Sequence, residues 1–200
     1  MISIVMASYL GAYKNAAVNR PEKLKRAINS VLRQSFQDWE LIVISDGCDE
    51  TSKIVSEYAD ERINCYQIPK QSQWSGVVRN TGIDLAKGEY IVYLDNDDMF
   101  GPSHLKNIAS GIEAHPGMDW YVFNDMIPDK DMTKFIERPS EIRKFQIGTA
   151  NIAHKKVAKW NEQDDYLHDW NFICKLKAFQ FARIPNGQYL VCHIPRKFDL

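Results

Sequence analysis

Val92-Tyr93-Leu94-Asp95-Asn96-Asp97-Asp98 is an apolar run that breaks abruptly into three carboxylates and an amide. With Glu89-Tyr90-Ile91 before it, the run reads as a buried strand. The acids then fall at its carboxyl end, where open α/β sheets bind their ligands. Clustered carboxylates repel one another, and a cation between them relieves that cost. Oxygen-only ligands suit hard ions such as Mg²⁺ or Mn²⁺, which in turn hold phosphates. The same residues have a plainer reading as a polar turn, in which Asp98 or Ser103 caps the next helix.

Upstream, Ile2-Ser3-Ile4-Val5-Met6-Ala7 is a strand-like run, followed by a polar loop over residues 8–20. Pro21 opens a helix where its missing N–H costs nothing. Leu24, Ala27, Ile28, Val31 and Leu32 recur at the spacing of one buried helical face. Leu41-Ile42-Val43-Ile44 is a second strand ending on Ser45-Asp46-Gly47. A short helix over 51–58, a strand over 63–68 and a helix over 77–86 lead to Gly88 and the acid-tipped strand. Strands alternating with helices at this spacing imply βαβ units. The expected fold is a single α/β domain of Rossmann-like build, with a mostly parallel central sheet and helices on both faces. Right-handed crossovers place the strand ends on one rim, gathering Ser8, Tyr9, Asp46 and residues 95–98. Beyond Pro102 come an amphipathic helix, a strand at Trp120-Tyr121-Val122-Phe123 and a charged loop or hairpin over 125–140. An amphipathic helix over 166–179 and a closing edge strand over 189–194 complete the chain.

Composition narrows the class. Two hundred residues with 44% hydrophobic content suit one globular domain, residues 1–200. A formal charge of −1 argues against a generally basic nucleic-acid binder. Cys48, Cys65, Cys174 and Cys192 form no CxxC pair, so neither a zinc site nor a disulfide framework is indicated. No stretch approaches the roughly 18 apolar residues of a spanning helix. The run from Ile2 lacks the form of a signal peptide. A cytoplasmic protein, with at most peripheral membrane contact, is the expectation.

Four motifs in order carry a resemblance. They are Ala7-Ser8-Tyr9 after the first strand; Ala27 to Phe36 leading into Trp39-Glu40-Leu41-Ile42-Val43-Ile44-Ser45-Asp46-Gly47; Val78-Arg79-Asn80-Thr81-Gly82-Ile83 with Ala86-Lys87-Gly88-Glu89-Tyr90-Ile91; and the Asp95-Asn96-Asp97-Asp98 tip. Together they make the chain resemble a family 2 glycosyltransferase of the GT-A fold. The resemblance implies inverting transfer of a sugar from a nucleotide-diphosphate donor, a UDP-sugar above others, with Mn²⁺ or Mg²⁺ on the diphosphate. It divides the chain into a nucleotide-sugar-binding half, 1–101, and a small acceptor-side half, 102–200. Ser8, Tyr9 and Asp46 would line the base pocket and Arg79 the diphosphate. Asp95 and Asn96 would face the ribose, Asp95 and Asp97 the metal, and Asp98 would support the loop. His193 stands where some GT-A enzymes place a metal-binding histidine; His154 is a weaker candidate of the same kind.

The family base lies just before a Trp-bearing amphipathic helix, matching His168-Asp169-Trp170-Asn171-Phe172-Ile173. Asp169 aligns with it, and Asp164 and Asp165 are the other candidates. Trp74, Trp160 and Trp170 are possible sugar platforms or core residues. The acceptor stays open among saccharides, lipid-linked glycans, proteins and modified nucleic-acid bases. A non-catalytic nucleotide-sugar or partner-binding domain is the non-enzyme alternative. A sugar-1-phosphate nucleotidyltransferase is a second enzyme class, but residues 8–14 lack its Gly-rich triphosphate loop.

Overall fold

The computed structural model describes residues 1–13, 16, 18–71, 75–131, 133–162 and 166–192. The first half runs β1 (Ile2–Ser8), α1 (Arg20–Leu32), β2 (Trp39–Asp46), α2 (Asp49–Val55), β3 (Ile63–Ile68), α3 (Gly76–Leu85) and β4 (Tyr90–Tyr93). There follow β5 (Met99–Phe100), α4 (His104–Ala114), β6 (Trp120–Val122), β7 (Asp125–Pro128) and β8 (Phe135–Arg138). The chain continues through β9 (Ile152–His154), α5 (His168–Leu176), β10 (Phe181–Arg183) and β11 (Tyr189–Leu190).

A seven-stranded sheet has the order β10-β6-β9-β4-β1-β2-β3 among the described residues. Its pairings are parallel except on either side of β9, which is antiparallel to both β4 and β6. Every residue of β2 is buried, as its continuous apolar run requires of a central parallel strand. The edge strand β3 is only half covered and carries Asn64 and Gln67.

Alternation along the strands sorts the core into two layers. Ile4 and Met6 of β1 pack with Leu24 and Ile28 of α1, Ile54 of α2 and Leu105 of α4. Val5, one residue out of phase, packs with Val78 and Ile83 of α3 and Phe172 and Ile173 of α5. The expected sheet covered on both faces is therefore present. Helix α3 lies so close to β1 that a Cβ on Gly82 would collide with Val5 Cγ1. Gly82→Ala is expected to cost about 1–3 kcal/mol by overpacking, and Val5→Ala to recover part of it. Urea denaturation of the single and double variants measures both.

A second sheet, ordered β5-β11-β7-β8, stands beside the main one. The charged stretch 125–140 supplies its β7–β8 hairpin. Two expectations require correction. The closing strand is no edge: β11 covers two residues and lies between β5 and β7, because its flanks find partners on both sides. Strand β9, which joins the two parallel groups of the main sheet, was not anticipated, since three residues carry no readable period.

Candidate active site

The carboxyl ends of β1, β2 and β4 open into a cleft of about 870 Å³. Ser8, Tyr9, Asp46, Arg79, Asp95, Asn96 and Asp97 all line it. The parallel register that aligns Ser8 with Ser45 brings the ends of β1 and β2 level. Asn96 Nδ2 donates to Ser8 Oγ at 3.0 Å, and Ser8 Oγ lies 3.1 Å from Thr51 Oγ1.

Asp46 is buried and does not cap α2, whose N-cap is Cys48. Its carboxylate accepts from Lys70 Nζ and from the Gln71 N–H, both at 2.6 Å. Gly47 makes the turn that permits this, with φ 64° and Lys70 packed against it. Lys70 Nζ also lies 4.5 Å from the centre of the Tyr9 ring. Lys70 follows the carboxyl end of β3, so the strand-end rule that selected Asp46 could have selected it too.

A buried cation sits between the acids. Arg79, 5% exposed on α3, donates through Nη2 to Asp95 Oδ1 at 3.2 Å, and its Nη1 lies 3.6 Å from Asp169 Oδ1. Burial opposes its charge, but Asp95 and Asp169 outweigh that and keep the guanidinium protonated. Its carbon lies 4.7 Å from the centre of the Trp160 ring. His168 Nδ1 is 3.0 Å from Asp169 Oδ1. Burial alone would raise the Asp169 carboxyl, yet His168, Arg79 and the Thr149 backbone together hold it below the ordinary carboxylate value. Asp169 is thus a carboxylate at neutral pH.

Asp169 opens onto a second cleft of about 500 Å³, where a Cβ on Gly148 would come within 3.0 Å of its Oδ2. Asp95 lines both clefts. The floor of the second holds Asp125, which is 1% exposed and pairs with Arg138 through two hydrogen bonds, 2.8 and 2.5 Å long. Asp98 faces away from the first cleft. Its oxygens accept from Tyr189 Oη at 3.0 Å and from the Cys192 N–H at 2.7 Å, anchoring the chain after β11 to the acidic loop. Ser103, the other capping candidate, makes no side-chain cap at α4.

Two readings that the sequence left open are decided, for Trp160 and His154. Trp160 is no sugar platform: it is buried and stacks on Phe172 with centroids 4.1 Å apart. His154 is a core residue, hydrogen-bonded to Tyr93 Oη at 2.7 Å and to the Lys155 carbonyl at 2.5 Å. Trp170 is half-buried at the second cleft, with Lys177 Nζ 5.4 Å from its ring centre. Trp74, Asp164, Asp165 and His193 lie outside the described residues.

Among the described residues no three His, Cys, Asp or Glu side chains converge as a ready metal cage. A hard cation needs less than that, since one or two carboxylates and substrate phosphates complete its shell. Asp95 and Asp97 line one cleft and offer oxygen alone, so the donor set fits Mg²⁺ or Mn²⁺. No helix among the described residues is long and apolar enough to cross a membrane.

The profile of glycosyl transferase family 2 matches residues 16–176. The chain belongs to that family. Its fold is that of the GT-A glycosyltransferases, since the chain superposes on Staphylococcus aureus TarS solved with UDP-GlcNAc at a TM-score of 0.73. Identity to TarS is 18%, with 95% of this chain and 58% of that one covered. It also superposes, at a TM-score of 0.65 and 13% identity, on a Pyrobaculum calidifontis mannosyltransferase solved with GDP-Man and Mn²⁺, covering 98% and 58%. Among sequences, the chain is 31% identical over 228 residues to a Methanocaldococcus jannaschii protein named as an uncharacterized glycosyltransferase, covering 98% of this chain and 75% of the relative. A Rickettsia typhi glycosyltransferase, likewise named as uncharacterized, is 25% identical, with 92% of this chain covered. The chain spans 59% of that relative's length.

Proposed function

We propose that this chain transfers a sugar, with inversion, from a nucleotide-diphosphate donor to an acceptor hydroxyl. Residues 1–101 form the donor half and 102–200 the acceptor half. The observation that carries this reading is the junction of the two clefts. Asp95 lines both, Arg79 touches Asp95 from the donor side, and Asp169 opens to the other side.

In this reading the nucleotide base lies over Tyr9 and Ser8. Asp46 has four lone-pair sites, of which Lys70 and Gln71 use two, so it can still accept from a base N–H such as that of uracil. A UDP-sugar is favoured on that ground. The TarS complex with UDP-GlcNAc supports the same donor class. The Arg79 guanidinium, protonated and buried, faces the diphosphate, where its fork of donors matches phosphate oxygens. Asp95 and Asp97 would hold Mn²⁺ or Mg²⁺, which when bound neutralises charge on the leaving diphosphate. The Mn²⁺ in the mannosyltransferase complex supports that choice.

Asp169 accepts the proton of the attacking hydroxyl. A bond forms between that oxygen and the anomeric carbon as the bond to the diphosphate breaks. The nucleoside diphosphate departs with the electron pair. Attack from the side opposite the leaving group inverts the anomeric centre.

Calorimetry with UDP-sugars, with Mn²⁺ and with chelator, tests the donor side. Asp97→Ala should abolish the metal-dependent part of binding and leave the fold intact. Arg26 Nη2 donates to the Asp97 backbone carbonyl at 2.6 Å, a bond that alanine retains. Normal donor binding by this variant would remove Asp97 from the site. Absence of any nucleotide-sugar binding by the parent would favour a domain without turnover.

A further inference from the structure

The second cleft has a feature that its catalytic edge does not use. At its mouth stand Phe145 and Tyr166, 71% and 76% exposed, with ring centroids 6.3 Å apart and planes inclined by 44°. Two large rings left in water beside a cleft are an apolar surface without a partner in the chain's own core. Phe145 also has a φ of 67°, a left-handed conformation that a bulky side chain avoids. A turn closed by the Gln146 N–H on the Arg143 carbonyl, 3.1 Å long, holds it there. Below the rings Asp95, Asp125, Arg138, Asn151, His168 and Asp169 give the cleft a polar side, facing apolar groups such as Ile147, Leu167 and Val191.

We propose that Phe145 and Tyr166 form the platform of an acceptor subsite for a pyranose saccharide. This rests on the transfer reading above and narrows its acceptor. A pyranose ring has an apolar C–H face and a rim of hydroxyls, so it offers one surface to the aromatic pair and the other to the polar floor. An alkyl chain seated there would strip water from Asp125, Asn151 and Asp169 without returning hydrogen bonds. The floor therefore selects a hydroxyl-rich ligand over a lipid tail. The aromatic pair selects a ring over a flexible polyol. The two rings come from loops 21 residues apart in sequence, Phe145 before β9 and Tyr166 before α5, so they meet only in the folded chain.

The test uses the full chain, saturated with UDP and Mn²⁺, on an array of immobilised oligosaccharides covering the common pyranoses, with decyl phosphate vesicles as the lipid arm. The parent should be retained by a subset of pyranose saccharides and not by the vesicles. The double variant Phe145→Ala, Tyr166→Ala should lose at least about tenfold in retention, the scale of one or two aromatic contacts. Phe145→Gly should lose retention too, while its denaturation midpoint stays at or above that of the parent, because glycine accepts the left-handed turn. No retained saccharide, retention indifferent to both rings, or preference for the vesicles would each overturn the proposal. UDP binding, measured by calorimetry on the same samples, separates the two readings. If UDP binds and no saccharide is retained, the platform is wrong and the donor site stands. If UDP itself does not bind, the transfer reading fails first.

Discussion

Asp169→Asn is expected to slow sugar transfer by about 10² to 10⁴-fold, the usual contribution of a positioned general base, and to leave donor affinity unchanged. The amide keeps the shape of the carboxylate and so its place beside Gly148, but it cannot take a proton. Donor affinity is spared because Asp169 lines only the second of the two clefts, while Arg79 keeps its bond to Asp95. The expected signature is a drop in kcat with the donor Kd unaltered, read by transfer kinetics beside calorimetry. The same residue sets the acid side of the pH profile. His168, Arg79 and the Thr149 backbone outweigh burial and hold the Asp169 carboxyl below its ordinary value near 3.8. Its base form therefore persists as pH falls and is lost only below the ordinary carboxylate range. Arg79→Gln should move that loss to higher pH by removing the guanidinium beside it. A wild-type rate in Asp169→Asn would transfer the role to Asp164 or Asp165.

Acid should unfold this protein earlier than its carboxylates alone would dictate, because two fully buried histidines must stay neutral. Burial pushes His104 down to about 3 and His154 down to about 4, from an ordinary value near 6.5. Both rings have a defined neutral tautomer. In His154 the Nδ1–H donates to the Lys155 carbonyl and Nε2 accepts from Tyr93 Oη, which in turn accepts the Trp160 indole N–H at 2.9 Å. In His104 Nδ1 accepts the Gln188 N–H at 3.0 Å, and the ring packs against Phe100 with centroids 4.2 Å apart.

The sign follows from proton counting. Below pH 6.5 the unfolded chain binds two protons that the folded chain refuses until about pH 4 and then 3. Stability is thus full above 6.5 and falls as pH drops through that window, by about 1.4 kcal/mol per pH unit for each ring. Together they remove about 3 kcal/mol per unit, against a total of about 5–15 kcal/mol for a typical domain. The urea midpoint should fall steadily from pH 6.5 to 5, and His154→Gln should halve the slope. A midpoint flat across that interval would mean that both rings titrate normally in the fold, and half the expected slope that one of them does.

Much of the donor side was legible because the relevant patterns are local. The single strands and helices of the βαβ alternation, the apolar helical face Leu24-Ala27-Ile28-Val31 and the acid tip after Leu94 each occupy fewer than fifteen residues. Parallel register then does the rest, since it forces the ends of β1, β2 and β4 onto one rim. Ser8, Tyr9, Asp46 and residues 95–98 follow from those grounds and Arg79 from the family resemblance; all but Asp98 line one cleft. Lys70 was missed although it too follows a strand end.

The acceptor side was decided by tertiary structure. Its pieces are strands of two to four residues, too short to show a period, and loops whose side chains meet partners far along the chain. Asp98 illustrates this: the sequence left it as a turn or capping acid, and only its bonds to Tyr189 and Cys192, more than 90 residues away, assign it to joining the two sheets. Asp169 is held below the ordinary carboxylate value by His168 and by Arg79 on another helix, and Phe145 meets Tyr166 only in the folded chain. What the sequence by itself determined is the parallel core and the chemistry at its strand ends, because burial and hydrogen-bonding period act between near neighbours. What only the folded chain decided is how the second half closes over that rim, because contacts between distant segments leave no periodic trace in the residues that make them.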